Sequence, residues 1–202
     1  MPELLDATAL HVTVESVIFR ARLGCVTEGF KPPAALPPEK MGAPPAEMAK
    51  RGRANPAGIA YLYVAEQEET AVAEIRPYVG AKVSIARAIP KDALKLADLT
   101  KVHCIPSPFG LTDLADRIRR NALLNILNEE LARPVNPDES EVEYVPTQYL
   151  AEVILNAGFD GIRFKSAVSP GGTNVVFFKP ADLEIQSDTR LVEILSVAIE
   201  YR

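Results

Sequence analysis

The stretch from Lys50 to Tyr78, KRGRANPAGIAYLYVAEQEETAVAEIRPY, sets the frame for the rest of the chain. A basic cluster, Lys50, Arg51 and Arg53, leads into Asn55-Pro56 and then Gly58, a combination that marks a turn. Ile59 to Ala65 is a short apolar run with aromatic punctuation and predicts a strand. Glu66, Glu68 and Glu69 lead into Thr70 to Ile75, which predicts a helix, because carboxylates favour the positive end of a helix dipole. Pro77 stops that helix. Connections this short leave consecutive elements adjacent in space, so Arg53, Tyr63 and Glu74 are expected in one neighbourhood. At about 100° per residue, Ala71, Ile75 and Tyr78 cluster on one helix side and Glu74 falls at its edge, facing a crevice beside the core. Taken singly, these residues read blandly: a solvated helix glutamate, a core aromatic with its hydroxyl at the rim, and a surface charge.

Elements before and after this stretch follow from local pattern. Val12 to Arg22 carries β-branched residues in alternation and predicts a first strand. Six of the 17 prolines fall between Lys31 and Pro45, predicting an ordered loop that wraps the domain rather than a free linker, with one helical turn over Pro45 to Lys50. Gly80 to Ile89 alternates as a half-buried strand, and Leu94 to Leu99 is a further β element. Lys101 to Gly110 is a loop. Leu111 to Ala132 is the longest helical pattern, with Leu114, Ile118, Leu123, Leu124, Leu127 and Leu131 at helical spacing and Thr112 as N-cap. Arg117, Arg119 and Arg120 read as its solvated face. Arg133 to Tyr144 is an acidic loop, and Pro146 opens a second helix that ends at Gly158. Asp160 to Lys165 is a strand, Ser166 to Thr173 a turn-rich loop, and Asn174 to Phe178 a buried apolar strand. Leu183 to Ile185 and Leu191 to Tyr201 are terminal β elements, the last open to a helical reading.

Composition narrows the function classes. A 202-residue chain is one domain or a domain with extensions. A net charge of −5 and a pI near 5.2 argue against direct nucleic-acid binding through phosphates. The histidines are His11 and His103 and the cysteines Cys25 and Cys104, in no metal-ligand spacing, so neither a metal site nor a histidine-based triad is supported. His103 and Cys104 are adjacent, and neighbours in a strand point to opposite faces. No export signal and no membrane-length apolar run is present, which predicts a cytoplasmic protein.

In order along the chain, the motifs resemble the RES-domain family, named for Arg, Glu and Ser. The first block is Gly52-Arg53-Ala54-Asn55-Pro56-Ala57-Gly58, Leu62-Tyr63-Val64-Ala65 and Thr70-Ala71-Val72-Ala73-Glu74. The second is Thr147-Gln148-Tyr149-Leu150-Ala151-Glu152, Gly158-Phe159-Asp160-Gly161-Ile162, Ser166, and Asn174 to Phe178. No single piece is specific, but the ordered set covers most of residues 50–178.

The resemblance implies a single RES-like domain over residues 1–202, with core motifs in 50–178 and the Pro-rich loop at 31–45. It implies an α+β fold like that of ADP-ribosyltransferases, a split and mostly antiparallel sheet with flanking helices. It further implies cleavage of NAD⁺ at the nicotinamide–ribose bond, as a phosphorylase or glycohydrolase, with water or inorganic phosphate as acceptor and no prosthetic group. Glu74 would stabilise the oxocarbenium-like sugar, Tyr63 would stack on nicotinamide or ribose, and Arg53 would fork onto phosphate. Ser166 would position the ligand, with Ser169 as its competitor, and Arg20 would be a secondary anion contact. From residues alone, Ser166 is a turn serine and Arg20 an edge-strand charge. The expected partner is an Xre-like helix-turn-helix antitoxin, with homodimerisation also open. Alternatives are an ADP-ribosyltransferase acting on a macromolecule and a non-catalytic NAD-binding or interaction module.

Overall fold

The computed structural model describes residues 8–101, 114–133 and 143–198. Nine strands form one sheet: β1 (Ala9–Val12), β2 (Ile18–Leu23), β3 (Leu62–Ala65), β4 (Lys82–Pro90), β5 (Leu94–Asp98), β6 (Gly161–Lys165), β7 (Thr173–Phe177), β8 (Leu183–Ile185) and β9 (Arg190–Glu193). Their order is β1-β5-β6-β7-β3-β2-β4-β8, and β9 pairs with β4 alongside β8. All pairings are antiparallel except β5 with β6. Four α-helices accompany the sheet among the described residues: α1 (Pro38–Met41), α2 (Glu68–Glu74), α3 (Leu114–Ala132) and α4 (Val145–Asn156). The expected α+β class with a split, mostly antiparallel sheet is therefore present.

The split lies between β2 and β3. Their only paired residues are Phe19 and Ala65, whereas β2 runs alongside β4 from Ile18 to Leu23 and β3 alongside β7 along its whole length. Beyond Phe19 the two strands diverge, and the Arg20 side chain reaches across: Nη1 donates to the Tyr63 carbonyl at 3.1 Å. A side chain thus takes an acceptor that a continuous ladder would have given to a backbone N–H.

Apolar packing closes the sheet on both faces. Ile162, Phe164 and Val176 pack with Leu124 and Leu131 of α3 and with Leu150, Ala151 and Ile154 of α4. The opposite face buries Leu62, Val64, Leu96, Val175 and Phe177 with Ile18, Ala88 and Leu183. A third group joins Val83 and Ile85 of β4 to Phe19, Ala21, Val192, and Val72 and Ile75 at α2.

Several expectations are corrected. The single first strand over Val12 to Arg22 is two strands, because a turn with Ser16 N–H donating to the Thr13 carbonyl separates them. The halves then pair at distant parts of the sheet, β1 with β5 and β2 with β4. The strand predicted from Ile59 begins only at Leu62, and Ile59 stays exposed. β4 is not half-buried: Ser84 and Ala86 are as buried as Val83 and Ile85, and Ser84 is engaged by the segment after β2, at the Gly24 carbonyl and the Leu36 N–H. In α3, Leu124 and Leu131 are buried but Ile118 and Leu123 are exposed, so only part of the apolar pattern packs. The Pro-rich segment is ordered as expected, with Val26 and Ala34 bridged, α1 formed and Met41 fully buried. A single 3-10 turn follows at Ala46–Met48. α4 carries Pro146 in its first turn and is followed by Gly158 at φ +82°, a conformation that favours glycine. Expectations for Thr112, His103, Cys104, and most of the Lys101–Gly110 and Arg133–Tyr144 loops fall outside the described residues, as does the end of the Leu191–Tyr201 element.

Candidate active site

The mouth of the split is a cleft of about 370 Å³, lined by Phe19 and Arg20 of β2, Arg53, Tyr63 of β3, Glu74 of α2 and Asn174 of β7, among others. The turn, strand and helix of the Lys50–Tyr78 stretch meet here as their short connections require. Phe164 and Tyr144 complete the apolar wall.

Glu74 ends α2 and is half-buried. Its Oε1 accepts two hydrogen bonds, from Ser166 Oγ at 2.7 Å and from Asn174 Nδ2 at 2.5 Å. Among the described residues no hydrogen bond engages Oε2, so one lobe is anchored and the other is open. Ser166 Oγ in turn accepts from the backbone N–H groups of Val168, at 3.2 Å, and Ser169, at 3.0 Å. A hydroxyl has one proton and two lone pairs, so this serine is saturated and its proton belongs to Glu74. Ser169 lies elsewhere, with Oγ 3.1 Å from Thr70 Oγ1. Of the two candidate serines, Ser166 is the one in contact with the carboxylate.

Tyr63 uses its hydroxyl to lock the turn beside it. The hydroxyl donates to Asn55 Oδ1 at 2.7 Å and accepts from the Ala54 N–H at 3.0 Å. Burial pushes the phenol pKa well up, so it remains a neutral hydrogen-bonding group. The Asn55 amide nitrogen donates to the carbonyls of Lys50, Pro56 and Ile59, and Asn55 is 3% exposed. A Cβ on Gly52 would stand 2.6 Å from Asn55 Oδ1 and 2.7 Å from the Tyr63 hydroxyl, so this approach requires glycine.

Arg53 lines the cleft while its Nη1 donates to the Leu131 carbonyl at 2.8 Å, in the last turn of α3. The negative end of a helix dipole suits a cation there. Among the described residues Nε and Nη2 make no hydrogen bond. On the opposite wall, Arg20 makes no salt bridge among the described residues, and burial followed by the nearby Arg22 lowers its pKa to about 10. Two guanidinium groups therefore flank a cleft whose carboxylate is Glu74, an arrangement suited to a ligand that carries phosphates at one place and develops positive charge at another.

Several contributors escape sequence reasoning. Asn174 opens an apolar strand, and nothing local marks its contact with a residue 100 positions earlier. Thr147 and Gln148 hold the Arg53 turn; their motif brings them forward in the sequence, but nothing local marks which backbone they bind. Glu66 was expected to lead into the helix but binds Arg163 through both oxygens at 2.7 Å, and Arg163 also reaches the buried Asp98. That charge cluster braces the β3, β5 and β6 ends and does not line the cleft.

Residues 29–198 match the RES domain. The chain belongs to the RES-domain family. No match is found among curated proteins. Among solved structures, the chain is similar to one in the crystal structure of the M. tuberculosis MbcT–MbcA toxin–antitoxin complex, at 12% identity with a TM-score of 0.49 over 95% of this chain and 91% of that one. In this RES domain no described helix is long and apolar enough to cross a membrane. The described residues hold no group of three or more His, Cys, Asp or Glu side chains suited to a metal ion.

Proposed function

We propose that this RES-domain protein cleaves NAD⁺ at the bond between nicotinamide and ribose. The observation that carries the reading is the Glu74 carboxylate, anchored on Oε1 by Ser166 and Asn174 and open on Oε2 in a cleft flanked by Arg20 and Arg53. In this reading the dinucleotide phosphates sit against the guanidinium groups, and the nicotinamide end lies against the Tyr63 ring. The C1″–N bond breaks with its electron pair leaving on nicotinamide, which becomes neutral. The ribose carbon becomes oxocarbenium-like, and the fixed carboxylate stabilises that charge as it develops. Water, losing a proton, or inorganic phosphate then attacks C1″. The products are ADP-ribose or ADP-ribose-1″-phosphate. Such an enzyme would work in the cytoplasm as a toxin, held in check by an Xre-like helix-turn-helix antitoxin that covers the cleft.

The test is to incubate purified protein with NAD⁺, with and without inorganic phosphate, and to separate the products. Free nicotinamide with ADP-ribose or its 1″-phosphate supports the reading and identifies the acceptor. ADP-ribose found only on a macromolecule would favour the transferase alternative, and binding without turnover the non-catalytic one.

A further inference from the structure

The turn that carries Arg53 is held from behind by α4. Gln148 Nε2 donates to the carbonyls of Gly52 at 2.9 Å and Asn55 at 3.0 Å. Thr147 Oγ1 donates to the Arg53 carbonyl at 2.6 Å, with the Tyr144 carbonyl a second acceptor at 3.1 Å. Two consecutive residues in the first turn of a helix thus take three carbonyls of one four-residue turn. Within the turn, Gly52 N–H also donates to the Asn55 carbonyl at 2.8 Å. Thr147 is 4% exposed, and neither residue lines the cleft.

The chemistry of this contact is selective. A primary amide offers two N–H groups on one nitrogen, which suits two carbonyls on the same side. A glutamate of the same shape would set oxygen against oxygen. A leucine would take the side-chain donor from the Gly52 carbonyl and leave the Asn55 carbonyl only the Gly52 N–H, which is costly. With its backbone fixed by α4 and its guanidinium Nη1 fixed on the Leu131 carbonyl, Arg53 has little freedom left between the two anchors.

We propose that Thr147 and Gln148 are positioning residues for Arg53: α4 sets where the guanidinium stands in the cleft, and so how tightly the substrate's phosphates are held, without touching substrate. The identity of those phosphates rests on the NAD⁺ reading, whereas the positioning itself does not.

The experiment uses Gln148→Leu, Thr147→Val and the conservative Thr147→Ser. Each is made in the parent protein and in an Arg53→Ala background. In the parent background, Gln148→Leu and Thr147→Val should raise KM for NAD⁺ about tenfold while changing kcat less than about threefold, the pattern of lost binding rather than lost chemistry. Thr147→Ser should restore the parent KM. In the Arg53→Ala background the same changes should add nothing, because groups acting through one another are not additive. Equal, additive losses in both backgrounds would overturn the proposal in favour of a general structural role. A second readout is independent of turnover. In isotope-edited NMR of arginine Nε–H groups, the Arg53 signal is assigned by its loss in Arg53→Lys. It should shift or broaden in Gln148→Leu, or in Thr147→Val if the former does not fold, and hold in Thr147→Ser. An unmoved signal overturns the proposal whatever the protein does with NAD⁺. A shifted signal in a protein that leaves NAD⁺ intact would count against the NAD⁺ reading and leave the clamp standing.

Discussion

Arg20 is a cation placed where folding gains little from it. Its folded pKa, about 10, lies below its ordinary value, so the unfolded chain holds the proton more tightly and the cost is fully present at neutral pH; it is relieved only as pH rises past about 10. In the proposed reading an anionic ligand supplies a partner. Arg20→Met should therefore be neutral or stabilising by about 1 kcal/mol in thermal unfolding, yet weaken NAD⁺ binding about tenfold or more, since charge-assisted bonds are the strong ones. A destabilised variant with parent affinity would assign Arg20 to the fold alone. Arg53→Lys should lose affinity although charge is kept, because an ammonium cannot span two phosphate oxygens while also holding the Leu131 carbonyl. Lys50→Ala and Arg51→Ala, both at exposed positions, should change affinity little, and equal effects at all three positions would mean a diffuse basic patch. Ser166→Ala should lower kcat about tenfold by releasing Glu74, while Ser169→Ala, which faces Thr70, should leave kcat near the parent value. That Arg53, Tyr63 and Glu74 share one neighbourhood was legible in the sequence because each stands in an ordered motif with short connections, and Ser166 stands in the same order. The anchoring bonds were not, because Asn174 and Gln148 act across 100 and 96 positions.

Among the elements, those bounded by strong local signals were readable: β6 shortly after the Gly158 turn, β7 as an apolar run, α4 between Pro146 and Gly158. Where neighbours decide, pattern was a poor guide. β4 looks half-buried because Lys82 and Ser84 alternate with Val83 and Ile85, but Ser84 is fully buried, donating to the Gly24 carbonyl and accepting from the Leu36 N–H. Val12 to Arg22 looks continuous because its turn is built from Thr13 and Ser16, which also suit strands. Gly161 is held by a contact no local rule reports: a Cβ there would stand 2.3 Å from the Val176 carbonyl oxygen, across the β6–β7 pairing. Backbone cannot yield as a flexible side chain does, so Gly161→Ala should cost about 2–3 kcal/mol. The check is the urea midpoint at unchanged slope. Gly42→Ala, where a Cβ meets nothing within 4 Å, is the matched control and should stay within about 0.5 kcal/mol. Equal stability of the two variants would mean that the β6–β7 pairing relaxes freely.

At the scale of the molecule, the sheet splits where β2 leaves β3, and the two arginines, the aromatic wall and the carboxylate converge on that opening. The fold class was visible in the order of the motifs, and the Pro-rich segment was correctly read as an ordered wrap. The register that leaves β2 and β3 paired only at Phe19 and Ala65 was not visible, because it is set between strands distant in the sequence. In the proposed reading the enzyme would draw on the cell's own NAD⁺, so induced expression without a blocking partner should lower intracellular NAD⁺ and arrest growth, and Glu74→Gln at equal protein level should do neither. Arrest with NAD⁺ unchanged would point instead to transfer onto a macromolecule. The most direct measurement is nicotinamide release from NAD⁺ by the purified parent protein and by Glu74→Gln, side by side, with NAD⁺ affinity measured for both by calorimetry. The account predicts release by the parent, release about 10²–10³-fold slower in the variant, and NAD⁺ affinity within a few-fold. A folded parent that binds NAD⁺ and releases no nicotinamide, or a variant that releases it at the parent rate, would contradict it.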